Sequence, residues 1–152
     1  MIRVLMVCMG NICRSPMAEG VFKHLVHEAG LDGQIEVDSA GTTGYHAGER
    51  PHRGTLRVLA QNGIPYDGIS RQITRADLSD FDYVVVMDDE NLADVNALGM
   101  AQGKVVRLLD FAPDQPVREV PDPYYNDKFE EVYDLVLQGA QGLLAQIRKE
   151  RG

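Results

Sequence analysis

The stretch VLMVCMGNICRSPMAEGVF (residues 4–22) runs from an apolar segment into a helical pattern and carries both cysteines of the chain between the two. Ile2 to Val7 is a short apolar run that suits a strand buried on both faces. From Ser15 the apolar residues return at helical spacing, through Ala18, Val21, Phe22, Leu25, Val26 and Ala29, and Gly30 closes the pattern. Ser15 suits the N-cap and Pro16 the first helical position, where a missing N–H costs nothing.

The same alternation continues outward. Ile35 to Val37 reads as a second strand, Thr55 to Gln61 as part of a helix, and Tyr83 to Met87 (YVVVM) as the clearest strand. Asn91 to Leu98 has helical spacing, and Val105 to Leu109 reads as a further strand. Residues 127–150 form a long amphipathic helix through Phe129, Val132, Tyr133, Val136, Leu137, Ala140, Leu143, Leu144 and Ile147. This pattern predicts a single-domain, three-layer α/β fold over residues 1–152: a four-stranded parallel sheet with helices on both faces. Ligands of such sheets bind beyond the carboxyl ends of the strands, which is where the loop after Val7 lies.

Composition narrows the partners. A chain of 152 residues allows one domain with a substantial core. Its net charge of −8 and the lack of a Lys/Arg cluster argue against nucleic acid. The N-terminal run IRVLMV is far too short to span a membrane and has no cleavable-signal pattern, so the expected location is the cytoplasm, where cysteines stay reduced.

The loop from Cys8 to Ser15 (CMGNICRS) reads as an oxyanion cradle. A tight loop entering a helix turns backbone N–H groups inward, and the helix dipole adds positive potential. Gly10 permits a left-handed turn, and Asn11 tolerates one. Arg14 offers a bidentate fork, and a thiol at the base of such a field, Cys8, is driven toward thiolate. A nucleotide loop of the Gly-Lys-Ser/Thr kind is absent, as is a three-glycine dinucleotide pattern. Zinc would need His24 and His27 beside the two cysteines, and those histidines fall on a polar helix face. Two buried packing cysteines beside an incidental arginine remain the plain alternative.

VCMGNICRSPMAE (7–19) resembles the signature of the low-molecular-weight protein tyrosine phosphatases. The similarity continues through DSAGT (38–42), SRQIT (70–74), FDYVVVMDDENL (81–92) and DPYY (122–125), in the family's order. The resemblance implies the phosphotyrosine protein phosphatase I-like fold and hydrolysis of phosphotyrosine through a cysteinyl phosphate, with no metal and no cofactor. Cys8 matches the nucleophile, Arg14 the phosphate-binding arginine and Asp122 the general acid and base. Met9, Gly10, Asn11, Ile12 and Cys13 complete the loop, Ser15 matches the hydroxyl that bonds the thiolate, and Asn11 braces the loop with Ser39. Tyr45, Tyr124 and Tyr125 match the aromatic wall around the substrate ring, with Ile12 beside it. Cys13 matches the redox partner that traps oxidised Cys8 as a disulfide. Where the family often has a histidine three residues before RQI, this chain has Gly68; His46 and His52 receive no role. The implied partners are phosphotyrosine proteins or peptides, with inorganic phosphate as product and a monomer or weak homodimer as the assembly.

Three alternatives follow from the same residues. Arsenate reductases of this fold need a further downstream cysteine, and none follows Cys13. Protein arginine phosphatases carry threonine where this chain has Ile12, and one aromatic after Asp-Pro where it has two. A phosphate-binding module without turnover would not need Cys8, Arg14 and Asp122 together.

Overall fold

The computed structural model of the protein describes residues 1–151. In chain order the elements are β1 (Ile2–Cys8), α1 (Arg14–Glu28), β2 (Ile35–Gly41), α2 (Arg53–Gln61), α3 (Arg75–Asp80), β3 (Tyr83–Val86), α4 (Asp89–Leu98) and β4 (Lys104–Arg107). A 3₁₀ turn (Leu108–Phe111), the single-turn α5 (Pro123–Asn126) and the long α6 (Phe129–Arg151) complete the chain.

The four strands form one parallel sheet in the order β2-β1-β3-β4. Because consecutive side chains of a strand point to opposite faces, β1 feeds two cores. Val4 and Met6 join one layer with residues of α1, α2 and α6; Leu5 and Val7 join the other with Leu78, Phe81 and Val95. Strand order reverses at β1, which pairs with β2 on one side and β3 on the other, so its carboxyl end is the switch point of the sheet.

Helix α6 lays Phe129, Val132, Val136, Ala140, Leu143 and Ile147 against the first layer, each almost wholly buried. Burying one such side chain is worth about 1.5–3 kcal/mol. Gly142 lets α6 close on the 3₁₀ turn: a Cβ there would lie 1.8 Å from the Phe111 carbonyl oxygen.

Local structure differs from the sequence reading at several points; the long helix starts at Phe129 and not at 127, because Asp127 takes a left-handed conformation (φ 60°) that ends α5. The last strand ends at Arg107, because Leu108 and Leu109 bury themselves by turning into the 3₁₀ segment. Helix α1 begins at Arg14 with Cys13 at its N-cap, and no side chain caps it. Ser15 lies one residue inside the helix, its hydroxyl committed to Cys8 and Asn11. The left-handed residue of the loop is Asn11 (φ 57°), and Gly10 is not among the residues with positive φ. Gly10 instead lies close under the His46 ring, where a Cβ would come within 3.1 Å and the ring would have to give way slightly. Among the described residues, no helix is long and apolar enough to cross a membrane.

Candidate active site

Register sets the site. Cys8 is the last residue of β1, opposite Gly41 of β2, and the loop from Met9 to Cys13 leads directly into α1. Gly41 gives this loop room: a Cβ there would lie 2.8 Å from the Met9 carbonyl oxygen.

The loop carbonyls are tied outward one by one. Thr42 N–H donates to Cys8 O at 2.9 Å, Thr43 N–H to Met9 O at 3.0 Å, and Ser70 Oγ to Gly10 O at 3.1 Å. His52 N–H donates to Ile12 O at 2.8 Å, and Thr55 Oγ1 to Cys13 O at 3.0 Å. A planar trans peptide points its N–H opposite to its C=O. Fastening the oxygens outward therefore turns the amides toward the loop centre, beside the N-terminus of α1.

Arg14 is 4% exposed, and its guanidinium is held on two sides. Nη1 donates to Asp88 Oδ2 at 2.6 Å and to Val120 O at 3.0 Å, while Nη2 lies 3.6 Å from Asp122 Oδ2. Nε is buried without a hydrogen-bond partner. Burial works against the charge, but Cys8, Asp88 and Asp122 outweigh it and hold the guanidinium protonated. Cys8 Sγ sits 3.0 Å from Ser15 Oγ and 3.4 Å from Ser15 N. Burial first, then the charges of Asp122 and Cys8, pushes the Cys13 thiol well above its ordinary range. Neither cysteine of the loop is in a disulfide.

Asp122 is the N-cap of α5, its Oδ1 accepting from Tyr124 N–H at 3.1 Å, which leaves Oδ2 toward Arg14. Cys8, Ile12, Arg14, Asp122, Tyr45 and Tyr124 share a cavity of about 320 Å³. Its rim is aromatic: Tyr124 stands edge-on to Tyr125 at 5.4 Å, and Tyr45 edge-on to His46 at 5.3 Å. Ser39 stands outside the cavity, in a buried hydrogen-bond chain behind the loop. There Asn11 Nδ2 donates to Ser15 Oγ at 2.7 Å and to Ser39 Oγ at 3.0 Å.

Sequence reading missed several members. Asp88 holds Arg14 and also caps α4, accepting from Asn91 N–H at 2.7 Å; an acidic residue just before a helical run was the available signal. His46 borders the cavity, and His52 stacks on buried Phe129 at 4.9 Å while standing edge-on to Tyr124 at 6.0 Å. Glu19, the last residue of the 7–19 signature but given no role there, and Tyr66, which no local pattern announced, join the chain behind Ser39. His24 and His27 sit on the outer side of α1, paired with Glu28 and Asp32, away from both cysteines.

A buried cysteine ending a central parallel strand, with an arginine six residues on at a helix N-terminus, is the Cys-x5-Arg arrangement of a phosphatase. The model of the low molecular weight phosphotyrosine protein phosphatases matches residues 3–152. The low molecular weight protein-tyrosine-phosphatase YfkJ of Bacillus subtilis is 47% identical over 154 residues, covering 99% of each chain. Its crystal structure superposes with a TM-score of 0.97 over 100% of this chain and 98% of that one. PtpA of Staphylococcus aureus is 39% identical over 151 residues, 99% of this chain and 96% of its own. A Drosophila arginine phosphatase, 31% identical, superposes with a TM-score of 0.89 over 95% of this chain and 96% of its own. The chain belongs to the low-molecular-weight phosphotyrosine protein phosphatase family, and it is an enzyme.

Proposed function

We propose that residues 1–152 act as one phosphatase domain that hydrolyses phosphotyrosine in proteins and peptides through a phosphorylated Cys8, releasing inorganic phosphate. The observation that carries this reading is the buried Arg14 beside Cys8, tethered through Nη1 and with Nε unpartnered. An inward ring of amides with such a guanidinium suits the equatorial oxygens of a phosphoryl group in flight.

In this mechanism Cys8 Sγ attacks phosphorus as the bond to the phenol oxygen breaks, and Asp122 gives its proton to that oxygen. Water then attacks phosphorus, Asp122 takes its proton, and the sulfur leaves as a thiolate bonded by Ser15 Oγ and N–H. Met9, Gly10, Asn11, Ile12 and Cys13 supply the cradle, and Ser39 supports it through Asn11. Tyr45, Tyr124 and Tyr125 are 87%, 53% and 75% exposed, a rim on which a phenyl ring can stack.

Phosphoarginine is the competing substrate, since the Drosophila relative named an arginine phosphatase shares this scaffold. Ile12 at the cavity wall favours the aromatic ring, because it offers a guanidinium no acceptor. Turnover of phosphotyrosine, phosphoserine and phosphoarginine peptides tests the choice: phosphotyrosine should be fastest. With an aryl phosphate, Cys8→Ser should abolish turnover and Asp122→Ala should reduce it ~10²–10⁴-fold. Full activity in Cys8→Ser refutes the mechanism.

A further inference from the structure

The hydrogen-bond chain behind Cys8 has a direction, and both of its ends fix it. At one end Arg71 N–H donates to Asn11 Oδ1 at 3.0 Å, so the Asn11 amide must turn its NH₂ toward the serines. Ser15 Oγ accepts one of those protons, which leaves its own hydroxyl proton for Cys8 Sγ. Ser39 Oγ accepts the other and donates to Glu19 Oε1 at 2.6 Å. Glu19, 4% exposed, is the far end. Lys23 holds its Oε2 at 2.6 Å, and the Tyr66 phenol donates to Oε1 at 2.5 Å. A carboxylate accepts and never donates, so Ser39 has one choice of direction.

Tyr66 reaches this position through the space above Gly68. A Cβ on Gly68 would lie 2.4 Å from the phenol oxygen and 2.7 Å from its ring carbon Cζ. The side chain missing at 68 is thus matched by a phenol arriving from 66. Burial, then the Glu19 charge, pushes the phenol far above its ordinary range, in line with its role as donor to Glu19.

We propose that Tyr66 is a positioning residue for the reaction: by anchoring Glu19 it fixes Ser39, Asn11 and finally the Ser15 proton that faces Cys8. The proposal rests on Cys8 being the nucleophile. Tyr66 lines none of the substrate cavity, so its loss acts on the sulfur and not on substrate binding.

The test compares Tyr66→Phe and Gly68→Ala with the wild type, using an aryl phosphate and, separately, alkylation of Cys8 by iodoacetamide. Gly68→Ala displaces the phenol without deleting any group of the chain, so it carries the test if Tyr66→Phe misfolds. Each should lower kcat roughly tenfold per folded molecule, leave KM within about twofold, and slow alkylation by a similar factor. Adding Gly68→His to Tyr66→Ala should recover part of the lost kcat, since a cavity of about 270 Å³ bordered by both residues gives an imidazole room. Wild-type kcat and alkylation in both Tyr66→Phe and Gly68→Ala overturn the proposal. So does a loss that only tracks the folded fraction by near-ultraviolet circular dichroism. If Cys8→Ser is inactive while these variants match the wild type, the positioning role alone fails. If Cys8→Ser is active, the nucleophile assignment fails with it.

Discussion

Asp88→Asn is the substitution that best separates charge from geometry around Arg14. Asp88 performs two tasks with two oxygens: Oδ2 accepts from Arg14 Nη1 at 2.6 Å and Oδ1 accepts from Asn91 N–H at 2.7 Å. Asparagine has one carbonyl oxygen, so one task must lapse. Turning the NH₂ toward Arg14 sets donor against donor and forfeits a charge-assisted bond worth ~1.5–3 kcal/mol. Turning it toward Asn91 forfeits an N-cap worth ~1 kcal/mol. The amide therefore keeps its oxygen on Arg14 and uncaps α4. Cap loss plus the weaker neutral bond comes to about 1–2 kcal/mol, a Tm drop of roughly 3–6 °C for a domain of this size. Val120 O and Asp122 still hold the guanidinium, so kcat/KM should fall only about tenfold, some 1.4 kcal/mol. Thermal melts and aryl phosphate kinetics at neutral pH read both numbers. Asp88→Asn with unchanged Tm and kcat/KM within twofold of wild type would refute the two-oxygen reasoning.

Cys13→Ser should abolish recovery after sustained peroxide exposure. The expected wild-type course is that Cys13 attacks the sulfenic acid of oxidised Cys8, a disulfide forms and water leaves, and dithiothreitol then restores activity. Because burial and its neighbours raise the Cys13 pKa, trapping should quicken as pH rises; equal recovery in the variant removes the role. At the other end of the sheet, the Tyr83 hydroxyl and Lys104 both bond Glu150 on α6. Burial, then Glu150, pushes the Tyr83 phenol from 10.0 up to about 12. The protonated form is favoured in the fold, so its contribution is complete below about 10 and is lost between about 10 and 12. Melts of wild type and Tyr83→Phe across that window should converge as pH rises; a constant gap contradicts the assignment.

The sequence shows what is local. Unbroken apolar runs placed β1 and β3, which are buried on both faces, and helical spacing placed α1 and α6, whose apolar residues return every three or four positions. Cys8 and Arg14 were legible because one loop holds both. Asp88, Glu19 and Tyr66 were not, since their roles arise from contacts 74, 20 and 47 residues apart in sequence. The Ser15 cap failed for a related reason. Its hydroxyl had a tertiary use that outweighed local capping preference, and the uncapped helix amides face the cradle instead.

Arg14 also answers how a chain of net charge −8 can hold a dianion. Attraction from afar is unavailable, and two carboxylates, Asp88 and Asp122, already face the guanidinium. Positive potential must therefore come from groups that carry no net charge, the loop amides and the first turn of α1, whose reach is a few ångströms. Within that reach the guanidinium divides its protons: Nη1 is spent on Asp88 and Val120, Nη2 faces Asp122, and Nε is unspent. A lysine has one nitrogen, so tethering its ammonium to Asp88 and Val120 would draw the whole charge away from Cys8. Arginine can be anchored at one edge and bind phosphate with another. That is why the carboxylates beside it orient the charge more than they cancel it.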